Sequence, residues 1–227
     1  MIRDDGPPGG TATIGQTLLQ SIRGDILRGR LKPGQRLRLE RMREAYGASV
    51  TTLREMLNRL VAESLVIAEG QRGFEVAPVR VRELRELAEM RIMLECHAMR
   101  QSFAQGRLPW EAEVVSAHHM LRSVEHGLMG GEADAVAQWV HYDWNFHRAL
   151  VSACDMPTLM ATHGNIFDRY IRYHLLALDF RGAAVAEDHA QLRDLALARR
   201  TEDAGALLVR HIRAGMEHVI ASGRIPG

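Results

Sequence analysis

Cysteine is nearly missing from this chain. The two that occur among 227 residues, Cys96 and Cys154, lie far apart and outside any metal-binding or redox spacing. That argues against a disulfide scaffold or a zinc ribbon and leaves two reduced, mostly buried thiols as the expectation. Aromatic residues are scarce at 5%, while Ala, Leu and Arg are abundant, a bias toward helix. No apolar run approaches the roughly 18 residues that a membrane span needs. The first dozen residues, MIRDDGPPGGTA, lack the apolar stretch of a secretory signal. Residues 1–11 read as a disordered tail, and a cytoplasmic location is expected. Also absent are a His-Glu-x-x-His pair and a Gly-rich phosphate loop, so no familiar catalytic motif is in register.

An overall charge of one sign is missing too, with a net of only +1. Its distribution says more. Residues 1–78 carry 12 basic side chains against 9 acidic, and residues 79–227 carry 17 against 19. All 11 histidines lie from His97 onward. The chain divides accordingly into the tail, a segment 12–78 and a segment 79–227, and the mildly positive segment is the one whose pattern suits DNA.

In that segment, Thr13 can cap a helix with apolar positions Ile14, Leu18, Leu19, Ile22, Ile26 and Leu27, spaced by three and four. Gly29 and Pro33-Gly34 end it. A second helix fits Glu40 to Tyr46, with Leu39, Met42 and Ala45 turned inward, and Gly47 breaks it. Ser49 or Thr51 caps a third helix running to about Glu63, with Leu53, Met56, Leu57, Leu60 and Val61 inside. Two short helices joined by a tight Gly-containing turn describe a helix-turn-helix. Leu65 to Ala68 and Phe74 to Ala77 read as a hairpin, a wing with Arg72 at its tip. The first turns of the third helix would present Ser49, Thr51, Thr52 and Arg54 to DNA. Arg54 suits guanine O6 and N7, whereas Arg41, Ser49, Thr51 and Thr52 suit phosphates. The alternative for Arg54 is a surface ion pair with Glu55 or Asp25.

The stretch from Ile22 to Val76 resembles the GntR superfamily of winged-helix regulators. The segments IRGDILRGRLKPGQRL, YGASVTTLREMLNRLVAESLV and GQRGFEV carry the likeness. The resemblance implies that Ser49, Thr51, Arg54 and Glu55 belong to the opening of a recognition helix and that Arg72 to Val76 form the wing. Val50 stands where the family often has a DNA-touching arginine, and Thr52 where many members carry proline. The operator sequence therefore does not transfer from relatives.

From Val81 the pattern is helical almost to the end, with candidates at about 81–106, 109–127, 132–153, 157–180, 184–200 and 202–222. The expected fold is mainly α: an N-terminal winged helix-turn-helix plus a C-terminal all-helical bundle of about six members. Asp143 and His147 sit four residues apart, on one face of one helix. His189 and His211 lie on later helices. A carboxylate and imidazoles on facing helices suit a divalent metal such as Zn²⁺ or Ni²⁺. The segment is similar to the FCD effector domain of the FadR-type branch, and the resemblance implies that Asp143, His147, His189 and His211 are its metal ligands. The remaining histidines have no such register and read as ordinary.

A metal with three or four protein ligands leaves positions open for a small carboxylate or hydroxy-acid effector, and the resemblance implies an organic acid bound there. Arg91 and Arg172 are the guanidiniums expected to hold it, with salt bridges to Glu89, Glu95 or Asp168 as the alternative. The leading reading is a regulator, of repressor type, bound to operator DNA as a homodimer, because one small winged helix buries little surface. The rivals are a sensor of the metal itself and a metal-dependent enzyme with an appended DNA-binding module.

Overall fold

The computed structural model describes residues 13–70, 73–131, 135–177 and 180–227. The expected disordered tail at 1–11 and the wing-tip residue Arg72 lie outside them. The chain divides into two compact units, one ending at Val79 and the other beginning at Arg80.

In the first unit, helix α1 (Ile14–Leu27) starts at a capping box. The Gln16 backbone N–H donates to Thr13 Oγ1 at 3.3 Å, and the Thr13 N–H donates to Gln16 Oε1 at 2.8 Å. Each bond satisfies a donor that the first turn would otherwise leave open. Its buried stripe, Leu18, Leu19, Ile22, Ile26 and Leu27, packs on helix α3 (Val50–Ala62), whose own stripe is Leu53, Met56, Leu57 and Leu60. The two are also joined by Arg23, which donates to Glu63 just past the end of α3. Between them, helix α2 (Leu39–Tyr46) stops at Gly47, whose φ of 63° is the left-handed geometry a side chain disfavours. Met42 is buried but Ala45 is exposed, contrary to the inward placement expected of it. An eight-residue helix shows its partner a narrow stripe, and Ala45 falls outside it.

The wing is a three-stranded sheet rather than a bare hairpin. Strands β2 (Val66–Ala68) and β3 (Phe74–Val76) pair antiparallel, and the two-residue strand β1 (Arg36–Leu37) adds to the other edge of β3, giving the order β1-β3-β2. Phe74 and Val76 face the core while Glu75 between them is less buried, the alternation of a sheet with one face covered.

The second unit holds six long helices among the described residues: α4 (Val81–Gln105), α5 (Leu108–Met129), α6 (Val136–Val151), α7 (Pro157–Ala177), α8 (Ala183–Leu197) and α9 (Thr201–Ala221). Pro109 occupies the first turn of α5, where its missing N–H costs nothing. A 3₁₀ turn (Ser152–Cys154) follows α6. Helix α4 packs against α6, α7 and α9, and α5 against α6 and α8. Gly215 on α9 permits a close approach: a Cβ there would lie 3.0 Å from Tyr170 Oη and 3.2 Å from His174 Cε1, both on α7. Trp110 donates to the Ala149 carbonyl at 2.9 Å, tying α5 to α6. No described helix is long and apolar enough to cross a membrane.

Candidate metal centre and DNA-binding face

The N-terminus of α3 is capped by Ser49, whose Oγ accepts from the Thr52 N–H at 3.1 Å and lies 2.9 Å from Thr52 Oγ1. Both hydroxyls are thus engaged with each other. Thr51 beside them is exposed. Arg54 is exposed and forms no ion pair with another described residue. Its two candidate partners are taken: Glu55 pairs with Arg59 at 3.0 Å, and Asp25 accepts from Arg30 and from Tyr46 Oη. Arg41 on α2 is exposed as well. The helix therefore presents one unpaired guanidinium on its solvent face, while its apolar face is fixed in the core.

In the second unit, α6, α8 and α9 bring Asp143, His147, His189 and His211 together. Each is buried, and one ligand atom from every residue lies within 4.8 Å of the others. Asp143 and His147 are one turn apart on α6. Asp143 Oδ1 lies 3.3 Å from His189 Nε2 and 3.9 Å from His147 Nε2. Neither contact has hydrogen-bond geometry, so both Nε2 atoms are buried with no partner. The opposite side of each ring faces a carboxylate. His147 Nδ1 is 2.9 Å from Glu95 Oε2, His189 Nδ1 is 2.7 Å from Glu125 Oε1, and His211 Nδ1 is 3.3 Å from Asp188 Oδ2. Donation from Nδ1 fixes the tautomer that leaves Nε2 free to ligate. Arg181 also comes within 3.3 Å of His211 Nδ1, but donation to Asp188 is the arrangement that frees Nε2.

The charges favour a cation. Four acidic side chains, Glu95, Glu125, Asp143 and Asp188, surround the cluster, against three guanidiniums, Arg91, Arg181 and Arg210, the last 3.8 Å from Asp188, in a site where uncompensated charge is costly. Burial works against a charged His189, yet the Asp143 and Glu125 carboxylates overcome it and push its pKa up to about 9. A proton there stands where a cation would. Burial lowers His147 and His211, keeping those imidazoles neutral. Burial also opposes ionisation of Asp143, but His189 and His147 hold its carboxyl below the ordinary range. Two unpartnered imidazole nitrogens, a third ring and an ionised carboxylate are a donor set that a divalent metal fits.

Beside the cluster is a cavity of about 20 Å³, lined by Arg91, Asp143, Tyr170, His174 and His211 among others. Arg91 is buried: it donates through Nε to Glu95 at 2.7 Å, and its guanidinium sits 4.2 Å from the Phe167 ring centroid and 4.6 Å from that of Tyr170. The Glu95 pairing foreseen for it is thus present, in the core rather than on the surface. Arg172 is not brought to this cavity. Tyr170 and His174, one turn apart on α7, line it, and Arg172 between them is rotated about 200° from Tyr170. Burial is the main cause that lowers its pKa, to about 10, and its charged neighbours are Glu83 and Arg169.

Residues 14–76 match the model described as "Bacterial regulatory proteins, gntR family", and residues 86–214 match that of the "FCD domain". The chain belongs to the GntR family. It is 39% identical over 206 residues to the HTH-type transcriptional regulator BphR of Paraburkholderia xenovorans (strain LB400), covering 90% of this chain and 84% of the relative. To the HTH-type transcriptional repressor GlaR of Escherichia coli (strain K12) it is 29% identical over 197 residues, covering 84% and 89%. The fold is shared with the solved structure of E. coli McbR/YncC, at a TM-score of 0.76 and 22% identity over 93% of this chain and 99% of that one. This GntR/FCD protein is a DNA-binding transcriptional regulator.

Sequence reasoning passed over the carboxylates behind the rings of this FCD domain. A signal for Glu125 was present: Val114, His118, Leu121 and Glu125 form one buried stripe of α5 at spacings of four, three and four. Two further histidines are drawn in. His163 is 3.0 Å from Glu95 Oε1 and stacks on Trp144, and His174 lines the cavity.

Proposed function

We propose that this regulator is a dimeric, cytoplasmic repressor whose helical domain holds one divalent metal, Zn²⁺ or Ni²⁺, through Asp143, His147, His189 and His211. The observation that carries this reading is the convergence of four buried donor atoms within 4.8 Å, with a carboxylate behind each imidazole. When bound, the metal supplies a positive, Lewis-acidic centre for an oxygen ligand. Arg91, at the wall of the adjoining cavity, is the residue suited to a small carboxylate effector there. Arg172 has no part in that contact. On the DNA side Arg54 reads a base, and Arg41, Ser49, Thr51 and Thr52, with Arg72 of the wing, hold phosphates. An effector acts through its differing affinity for DNA-competent and incompetent states.

A second reading has its own support. The cavity beside the cluster has room for about one water molecule, so an organic acid enters only if side chains move. The metal alone as signal needs no such movement.

Metal analysis of the purified protein and of His147→Ala, with a thermal-shift screen of small organic acids, tests both. About one equivalent of metal, lost in the variant, and an acid that stabilises only the loaded protein support the first reading. Metal-dependent DNA binding with no responsive acid supports the second. A chelator-free preparation without metal overturns both.

A further inference from the structure

Among the described residues, a ligand-sized space also lies away from the metal cluster. A cavity of about 240 Å³ opens between α5 and α8, against about 20 Å³ next to the ligands. The alanines of α8 at 183, 186 and 190, one helical face, make the room. Arg122 and Arg193 line it together with Glu125 and Glu187. Arg122 is exposed and pairs with no described carboxylate. Arg193 is held by Asp194 and by His118 Nδ1 at 3.1 Å. Glu187 is exposed and accepts from Gln191 at 2.8 Å. Glu125 is fully buried. Its Oε1 faces His189 Nδ1 and Trp139 Nε1, and its Oε2 has no hydrogen-bond partner.

A buried carboxylate oxygen without a donor is costly, by more than a formed hydrogen bond returns. We infer that this cavity is a second ligand site, separate from the metal's open face, for a small hydroxy or amino acid. The ligand's carboxylate lies on Arg122 and Arg193, and its hydroxyl or ammonium donates to Glu125 Oε2, which is closed to solvent in the empty cavity and is reached when the lining side chains turn aside. Two carboxylates and two guanidiniums line the cavity, so a ligand offering both an acceptor and a donor complements it, whereas a plain carboxylate leaves Glu125 unsatisfied. The space exceeds the bulk of a four-carbon acid. Glu125 belongs both to this wall and to the outer shell of His189, so occupancy is felt at the metal cluster. That coupling rests on the metal reading above; the binding itself does not.

The test uses matched probes on the full chain that differ only in the donor: L-malate against succinate, and glycine against acetate, followed by calorimetry and saturation-transfer NMR. The donor-bearing member of at least one pair binds at least about tenfold more tightly than its partner. Arg122→Ala, at an exposed site without an ion pair, weakens that binding by about ten- to a hundredfold. Ala186→Trp, which fills the cavity, abolishes it, and Ala186→Met, the milder filling, weakens it if the tryptophan variant fails to fold. His147→Ala keeps the binding, shifted only by the coupling through Glu125 and His189, whereas a ligand on the metal is lost with it. Equal binding within both pairs, no binding by any probe, binding that survives the filled cavity, or binding lost with His147→Ala would overturn the inference.

Discussion

Arg54→Ala separates reading of a base from holding of a phosphate. The side chain stands at the start of the second turn of α3, exposed, with Glu55 and Asp25 already paired elsewhere. Its removal breaks no hydrogen bond or ion pair with a described residue, so stability changes by less than about 0.5 kcal/mol. A bidentate arginine–guanine contact contributes about 1–3 kcal/mol of discrimination, or roughly 5- to 150-fold in affinity. Two half-sites on a dimer double the free energy. Loss of a phosphate contact has another signature: specific and non-specific binding fall together, and the salt slope shrinks by about 0.9 per contact. The assay is fluorescence anisotropy with a duplex selected from a random pool and with a scrambled control, at several salt concentrations. The expected result is a large loss on the selected duplex, a small loss on the control and an unchanged slope. Equal losses on both duplexes with a shallower slope would refute base reading by Arg54.

Glu125→Gln keeps the side-chain volume but removes the charge behind His189, and lowers zinc affinity by about ten- to a hundredfold in a chelator competition; an unchanged affinity would mean that His189 is no ligand. His174 is buried and its pKa is depressed to about 3, with burial as the main cause. Its contribution to stability is therefore full above the unfolded value near 6.5 and drains away as pH falls toward 3. Urea unfolding of the metal-free protein at pH 7 and pH 5 reads this as a loss of stability about 2 kcal/mol larger than in His174→Gln, where the other buried imidazoles still contribute, and an equal loss in both proteins would contradict it. Ser49→Ala deletes the cap of α3 and lowers the denaturation midpoint by an amount equivalent to about 1 kcal/mol. No change in the midpoint would mean that water replaces the cap.

Much of the fold was legible because its signals are local. Thr13 marks the start of α1, Gly47 the end of α2, and the three-and-four spacing of Leu53 to Leu60 the inner face of α3. Strand β1 was not legible, because two residues carry no periodicity and its pairing depends on β3, far along the chain. At the site, Asp143 and His147 were visible as a one-turn pair, while His189 and His211 needed a family register. Asp188, and the place of Glu95 behind His147, were hidden for a physical reason. A carboxylate that supports a ligand inside a bundle has the same composition as one facing water, and only its partners on other helices distinguish them. Arg172 stands away from the cavity for a related reason: residues that share a helix need not share its face, and two positions along α7 turn a side chain away from it.

The second unit has no covalent cross-link, since Cys96 and Cys154 are both free thiols. A metal held by residues of α6, α8 and α9 would act as a removable one. It closes the loop from His147 to His189 and the loop from His189 to His211, each a few tens of residues long. By analogy with a disulfide, each closure takes about 3–4 kcal/mol of entropy from the unfolded chain. Metal supply would then set how long the protein survives proteolysis, and a cell short of metal would lose the regulator itself as well as its signal.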